Sequence, residues 1–285
     1  MLFIGNSIFD NGGDGIGLYC LGYDKPLFIG DSHASGYAYN ITFEENSMHG
    51  NIGNGLKLFA SGYSEGGWPD GVGSGTIHTI NIAKNIFCNN TGAGIALESK
   101  AYCSPMKNAH VDANVYKVKF TENIISLNGQ GISLNAKSEG IGGPFGEAYV
   151  SAEIRSVNMS KNDILCNKGN GISASVDAHA FKGSGFTYID LAINWNNISQ
   201  NGIGLRVTHA NITYVNAKYN FWGNTTGPYH KSLNPAGTGD PIIGEGVDFM
   251  PFLPLLSNGY NSAIIKTFLG GLVSRVHSVW FDFNQ

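Results

Sequence analysis

Acidic and histidine side chains in the less regular stretches of the sequence are the first candidates for chemistry. Two carboxylates can cleave a glycosidic bond, and a separation of ~5 or of ~6.5–9.5 Å decides the stereochemical outcome. A histidine can act as a general acid or base near neutral pH. The catalytic candidates, if the protein is an enzyme, are Glu98, Asp112, Glu139, Glu147, Asp177 and His179.

Aromatic side chains accompany these acids. Exposed rings beside carboxylates and neutral polar groups are typical of sugar-binding sites, because a ring has an apolar body that packs on the apolar face of a pyranose. The candidate ligand contacts are Tyr63, Trp68, Tyr102, Phe145 and Phe181. The alternative is that these stretches fold over the protein, with buried rings and solvated acids.

The composition restricts the class of protein. Charged residues are 13% of the chain, about half of the usual ~25%, and 40 of 285 residues are glycine, about twice the usual ~7%. A net charge of −4 without basic clusters argues against a nucleic-acid partner. The four cysteines form no CxxC pair, so no metal site is predicted.

Targeting signals are not evident. No apolar run reaches the length of a membrane span, and residues 1–4 lack the basic start of a signal peptide. A signal with further repeats upstream, or another export route, would account for the latter.

One phrase recurs through the chain: Asn-x-apolar-x-x-Asn, then a short polar gap, then Gly-apolar-x-apolar. Residues 85–90 followed by 94–97 are a clear copy. The first Asn of each copy is Asn6, Asn46, Asn85, Asn123, Asn162, Asn196 or Asn220, and the second is Asn11, Asn51, Asn90, Asn128, Asn167 or Asn201. Apolar residues alternate before each first Asn, which predicts a strand with one buried face. Stacked parallel repeats would bury those faces and align the Asn residues as hydrogen-bonded columns.

The spacing of the repeats predicts inserts. The first Asn residues are 40 residues apart at the start of the chain and 24 at its end. The longer copies carry extra residues at one place, without alternating apolar residues, so lateral loops stacked along one edge are predicted. A rival count makes each long copy two coils. The predicted loops are residues 62–75, 98–114, 135–148 and 176–187.

The phrase N-x-I-x-x-N with G-I-x-L resembles the repeat of right-handed parallel β-helix proteins, the pectate-lyase-like fold found in many secreted archaeal and bacterial surface proteins. Residues 219–253, with Trp222 and many Gly and Pro, are similar to the segment that closes such helices. The resemblance implies an all-β, single-stranded right-handed parallel β-helix of about seven coils, with lateral loop inserts and a C-terminal cap. The expected domains are the helix (1–220), the cap (221–254) and an extension (255–285) that packs on the helix or begins a further domain.

The resembled family includes lyases, hydrolases, epimerases and non-catalytic surface proteins, so the fold alone does not assign an activity. Positions where its lyases carry acids hold Gly17, Lys57, Ala96, Ser133, Ser173 and Gly204. We therefore expect a non-catalytic extracellular or cell-surface module, without a cofactor, that presents its loop ridge to a glycan or a surface protein. The alternatives are a polysaccharide lyase or glycoside hydrolase, with calcium expected only for a lyase, and a structural stalk or virion fibre. Glycosylation sequons begin at Asn40, Asn89, Asn158, Asn197, Asn211 and Asn224.

Overall fold

The computed structural model describes residues 1–25, 32–65, 70–208 and 210–255. Residues Met1–Pro254 form one compact unit. The predictions for Trp68 and for the extension beyond residue 255 lie outside the described residues.

The described chain is made of strands that pair in parallel to form three sheets. Sheet A contains β1 (Leu2–Ile4), β4 (Ser32–Glu44), β7 (Gly71–Ala83), β10 (Ala109–Thr121), β13 (Ala148–Ser160), β16 (Gly183–Asn194), β19 (Ile212–Asn216) and β21 (Val247–Asp248). Sheet B contains β2 (Ser7–Phe9), β5 (Ser47–His49), β8 (Ile86–Cys88), β11 (Ile124–Ser126), β14 (Asp163–Leu165) and β17 (Asn197–Ser199). Sheet C contains β3 (Ile16–Asp24), β6 (Leu56–Glu65), β9 (Ala93–Ser104), β12 (Gln130–Ile141), β15 (Asn170–Phe181), β18 (Ile203–Thr208) and β20 (Ile242–Ile243).

Each coil passes through sheets A, B and C in turn, and each strand pairs with its equivalent in the next coil. The predicted parallel β-helix is therefore confirmed. It has six complete coils and a partial seventh, against about seven predicted. The interior is apolar, with like residues stacked on like, and the fully buried Trp222 packs at its C-terminal end.

Both corners that flank sheet B are built in the same way. The residue before each Asn of the two columns has a positive φ, for example 55° at Lys84 before Asn85. A non-glycine residue in this left-handed region costs roughly 1–2 kcal/mol. The Asn that follows offsets this cost by bonding the corner to its neighbours: Asn123 Oδ1 accepts from the backbone N–H (2.9 Å) and Nδ2 (3.0 Å) of Asn85.

The two Asn columns run as hydrogen-bonded ladders from coil to coil. In each rung the Oδ1 of one Asn accepts from the Asn of the preceding coil, as Asn162 does from Asn123 Nδ2 at 2.9 Å. The second ladder ends on Asp240, whose Oδ2 accepts from the N–H and Nδ2 of Asn201, both at 2.8 Å.

Within the described residues, the prediction of lateral loops is wrong for most positions, which continue the strands of sheets C and A. Residues 136–141 of β12, in the fourth coil, and residues 148–154 of β13, in the fifth coil, form one layer of a two-sheet extension that is continuous with the apolar interior and that we call the fin. Its inward residues alternate strictly, but on β12 they are only Ala136, Ser138 and Gly140, so a count of large apolar residues does not detect this strand. On β13, Val150 and Ile154 are inward together with two alanines. Connecting turns remain at residues 105–108, at 142–147 and at Lys182.

Small residues are required in the fin because its two sheets approach very closely. A Cβ placed on Gly62 would overlap the carbonyl oxygen of Ser74 in the opposite sheet. The sheets also bond across the fin, through Ser32 Oγ with Ser64 Oγ and through Ser99 Oγ with the carbonyl oxygen of Gly75.

Candidate functional site

The outer face of sheet C brings together four of the residues selected from the sequence. Strand register aligns Tyr63 with Tyr102, Tyr102 with Glu139, and Glu139 with His179. Tyr23 precedes Tyr63 in the same column. Because the side chains of a strand alternate between faces, in-register positions with the same orientation form a row across the strands. We call this row the sheet C column.

The three tyrosines of the sheet C column stack on one another. The ring centroids of Tyr23 and Tyr63 are 5.3 Å apart with an interplanar angle of 8°, and those of Tyr63 and Tyr102 are 4.7 Å apart at 14°. The rings of Tyr63 and Tyr102 therefore cover each other and present their edges outward, rather than a free face as the sequence predicted. Tyr23, which sequence reasoning missed, is 66% exposed.

Hydrogen bonds hold the rings in the column. The hydroxyl of Tyr63 donates to Glu65 Oε2 at 3.3 Å, and the same carboxylate oxygen lies 3.1 Å from Lys25 Nζ. Burial and the neighbouring Glu65 carboxylate raise the pKa of Tyr63. The phenol therefore stays protonated at neutral pH and remains a hydrogen-bond donor.

Two neighbouring strands form a polar tile at the C-terminal end of the column. Lys137 and Glu139 lie on β12, directly beside Asp177 and His179 on β15. Lys137 Nζ is 3.8 Å from Asp177 Oδ2. Glu139 and Asp177 are diagonal neighbours on these two adjacent strands. This tile of a base, two acids and an imidazole contains three of the six catalytic candidates.

The other three catalytic candidates lie elsewhere. Glu98 is on sheet C but is engaged by two cations, with Lys57 Nζ at 3.5 Å and Lys100 Nζ at 3.9 Å from Oε2. Asp112 lies on sheet A and Glu147 just before β13, where they accept from the hydroxyls of Ser151 (2.6 Å) and Tyr149 (3.2 Å), respectively. The structure thus separates the predicted acids into groups on different strands and sheets.

The remaining aromatic candidates are at the outer end of the fin. Phe181 is 61% exposed at the end of β15, in register with Ile141. Phe145 is 69% exposed in the turn between β12 and β13. Neither belongs to the sheet C column.

A groove of ≈ 690 Å³ lies where the long strands β15 and β16 give way to the short strands β18 and β19. Asp177, His179, Asn211 and Glu245 contribute polar side chains to it. Asn211 Oδ1 accepts from the backbone N–H of Thr187 at 2.8 Å. Sequence reasoning missed this groove, although its cause, the shortening of the last repeats, is visible in the spacing of the first Asn residues.

A second aromatic row, on the outer face of sheet A, was not predicted. Tyr39 stacks on His78 with centroids 5.3 Å apart, and His78 on Tyr116 at 5.0 Å. The Arg155 guanidinium lies 5.7 Å from the Tyr116 ring centre. Burial, and to a smaller extent the nearby Lys117 ammonium, lower the pKa of His78.

The sequons differ in accessibility. Asn40, Asn89, Asn158 and Asn211 are exposed, and Asn224 is half-buried. Asn197 is 5% exposed, and its Nδ2 donates to Asp163 Oδ1 at 3.0 Å.

The cysteines are all free thiols. Burial raises the pKa of Cys88 and of Cys103 to about 11. In the described residues, no three His, Cys, Asp or Glu side chains are grouped as a metal site would require. The described chain also contains no helix with the length and hydrophobicity needed to cross a membrane.

The three stacked parallel sheets and the two Asn ladders define the class: this is a parallel β-helix repeat protein. Comparison with known proteins found no matching family model, no matching curated protein and no matching solved structure.

Proposed function

We propose that the protein is a non-catalytic module of the extracellular space or cell surface that binds an extended glycan across the outer face of sheet C. The observation that supports this most is the sheet C column. Tyr63, Tyr102, Glu139 and His179 were selected from separate repeats as glycan or catalytic candidates, and strand register aligns them in one row.

The chemistry of the column suits a hydroxyl-rich ligand. Tyrosine hydroxyls, a carboxylate and an imidazole offer both donors and acceptors to sugar hydroxyls. The nearby charges are largely balanced in pairs, such as Lys57 with Glu98 and Lys137 with Asp177. This favours a neutral ligand over a strongly charged one.

The dimensions of the column suit a polymer. Its five residues lie on five consecutive strands of sheet C, and strands spaced ~4.8 Å apart give a row of roughly 19 Å. The length of this row favours several linked sugars over one. A low charge content and four exposed sequons support an extracellular location.

The test is a glycan array followed by affinity measurement with two matched variants. Tyr23→Ala removes the exposed end of the sheet C column, and Tyr39→Ala removes an equivalent ring of sheet A, 55% exposed and also stacked at 5.3 Å. Tyr23→Ala is expected to weaken binding by about tenfold, corresponding to ~1.4 kcal/mol, while Tyr39→Ala leaves it unchanged. Equal effects of the two substitutions, or no binding to any glycan, would refute the proposal.

The polar tile favours a second candidate, a carbohydrate-active enzyme. Glu139 and Asp177 are diagonal neighbours on the outer face of adjacent strands, so two carboxylates lie on one surface, as glycoside hydrolysis by a pair of acids requires. An enzyme predicts new reducing ends or unsaturated products from the bound glycan, and their loss in Glu139→Gln and Asp177→Asn. Binding without any product retains the non-catalytic module.

A further inference from the structure

The last layer of the fin has an open edge. β12 pairs with β15 as far as Ile141 with Phe181, but the pairing of β15 with β18 stops at Ser175. On sheet A, the pairing of β16 with β19 begins only at Tyr188. Within the described residues, 176–181 and 183–187 therefore have no strand on their C-terminal side.

Burial shows that this edge lacks the cover found on earlier layers. Ala148 and Val150 of β13 are 0% and 4% exposed, whereas their register partners Gly183 and Gly185 of β16 are exposed. On sheet C, Ser138 is fully buried and its partner Ala178 is only half-buried. The groove of ≈ 690 Å³ occupies the place of the missing layer.

We propose that this groove binds an extended peptide segment of a protein partner, which adds a strand to the edge of β15 at residues 176–181. An unpaired strand edge is a template for main-chain pairing. The six residues span ~20 Å at ~3.3 Å per residue, so the segment is about six residues long.

The earlier layers of the fin define the side chains that fit. The inward positions aligned with Ala178 and Ala180 are occupied by small residues in the layers above: Gly62, Ala101 and Ser138, and Ser64, Cys103 and Gly140. The two sheets remain close at the last layer, where a Cβ on Gly185 would lie 2.6 Å from the carbonyl oxygen of Ala178. The bound segment therefore has Gly, Ala or Ser at alternate positions.

Charge defines the remaining positions. Asp177 and Glu245 line the groove. Asp177 already lies 3.8 Å from Lys137 Nζ, so a basic residue on the outward face of the segment complements Glu245 in particular. Gly244 and Glu245 also line the groove, which makes the site a slot beside the edge. A slot fits one strand better than it fits the fin of a second copy, which is two sheets thick. An oligosaccharide lacks the regular N–H and C=O groups that pair along a strand edge.

The probe is a labelled ten-residue peptide with the sequence of residues 132–141, ISLNAKSEGI. This segment of β12 already pairs with the opposite edge of β15 and combines small inward residues with a lysine. Saturable binding to the full chain is expected, together with slower amide hydrogen exchange at residues 176–181. A peptide with Leu in place of Ala136 and Ser138 is expected to bind about tenfold more weakly or worse, because of overpacking.

A protein variant tests the position of the site. Glu245→Lys is expected to weaken binding of the peptide, whereas Glu45→Lys, a charge reversal at a corner remote in sequence from the groove, is expected to leave it unchanged. Several results would overturn the proposal: no saturable binding, binding without protection of residues 176–181, or equal binding of the Leu-substituted peptide. It is also wrong if self-association of the protein, or an oligosaccharide, protects the same amides.

Discussion

Removal of one central Asn from the first ladder is expected to destabilise the whole stack. Asn123 is buried and makes four side-chain hydrogen bonds that hold three coils together. Its Oδ1 accepts from the N–H and Nδ2 of Asn85, and its Nδ2 donates to Asn162 Oδ1 (2.9 Å) and to the carbonyl oxygen of Ile82 (2.8 Å). Asn123→Ala deletes all four.

The size of the effect follows from which groups lose their partners. Asn85 Nδ2 keeps bonds to the carbonyl oxygens of Phe43 and Ala83, and Asn162 Oδ1 keeps its bond from the Asn123 backbone N–H. The backbone N–H of Asn85 is left buried without an acceptor, which costs ~1–3 kcal/mol. Together with the other lost bonds, we expect the free energy of unfolding to fall by about 3 kcal/mol.

The matched control is Asn6→Ala, in the first rung of the same ladder. Asn6 is exposed, and its side chain only donates, to Ile4 O and Asn46 Oδ1. Water can replace these bonds, so a loss below about 1 kcal/mol is expected. Urea unfolding followed by circular dichroism measures both variants, and amide exchange tests whether the coils unfold together, since stacked repeats can unfold in parts. Equal losses for the two variants would refute the ladder argument.

Two further predictions concern the fin and the end of the second ladder. Gly62→Ala forces a Cβ into the opposing backbone and is expected to lower the free energy of unfolding by about 1–3 kcal/mol. Gly12→Ala is the control, because a Cβ at Gly12 has nothing within 4 Å, and it is expected to change that free energy by less than about 0.5 kcal/mol. Thermal unfolding of the two variants measures this, and equal midpoints would contradict the prediction. Burial raises the pKa of Asp240 in the folded state above its ordinary value of 3.8, which applies to the unfolded state. At a pH between the unfolded and the folded pKa, the folded state binds more protons than the unfolded state, so stability falls as the pH rises through that range. Asp240→Asn keeps an acceptor for Asn201 and removes the charge. The variant should therefore be at least as stable as the unsubstituted protein at neutral pH, and it should lose that advantage at acidic pH. Urea unfolding at neutral and at acidic pH tests this, and a variant that is less stable at neutral pH would show the reasoning to be wrong.

The apolar interior and the ladders could be predicted because their signals are strong in a single sequence. Large residues such as Phe43 and Phe120 alternate at fixed distances from an Asn, and a parallel stack is the arrangement that buries them all. The fin could not be predicted in the same way. Ala136, Ser138 and Gly140 alternate as regularly, but their side chains are too small to register as apolar, so the same residues were interpreted as loops.

Because the strands of the fin were interpreted as loops, the residues of the candidate site were predicted individually and not as neighbours. In a loop, Glu139 and His179 would have no fixed relationship, but in paired strands the 40-residue difference in their numbers places them side by side. The same register places Tyr102 beside Glu139. Asp112 likewise lies beside its hydrogen-bond partner Ser151, 39 residues away, once the strands are recognised. The ion pairs of Glu98 with Lys57 and Lys100 depend on diagonal and same-strand neighbours, so alignment of equivalent positions alone does not give them.

Three repeating features of the fold, namely the apolar interior, the second Asn ladder and the fin, end in different ways at the C-terminal side, and this difference bears on the proposed peptide site. The apolar interior ends on Trp222, and the second ladder ends on Asp240, so hydrophobic and hydrogen-bonding repeats each have a terminating residue. In the fin, Asn211 bonds to Thr187, but residues 176–181 have no equivalent partner among the described residues. Natural sheets usually protect such edges because they promote association. The edge that is open among the described residues, beside a polar groove, therefore supports the proposal that a partner strand binds next to β15.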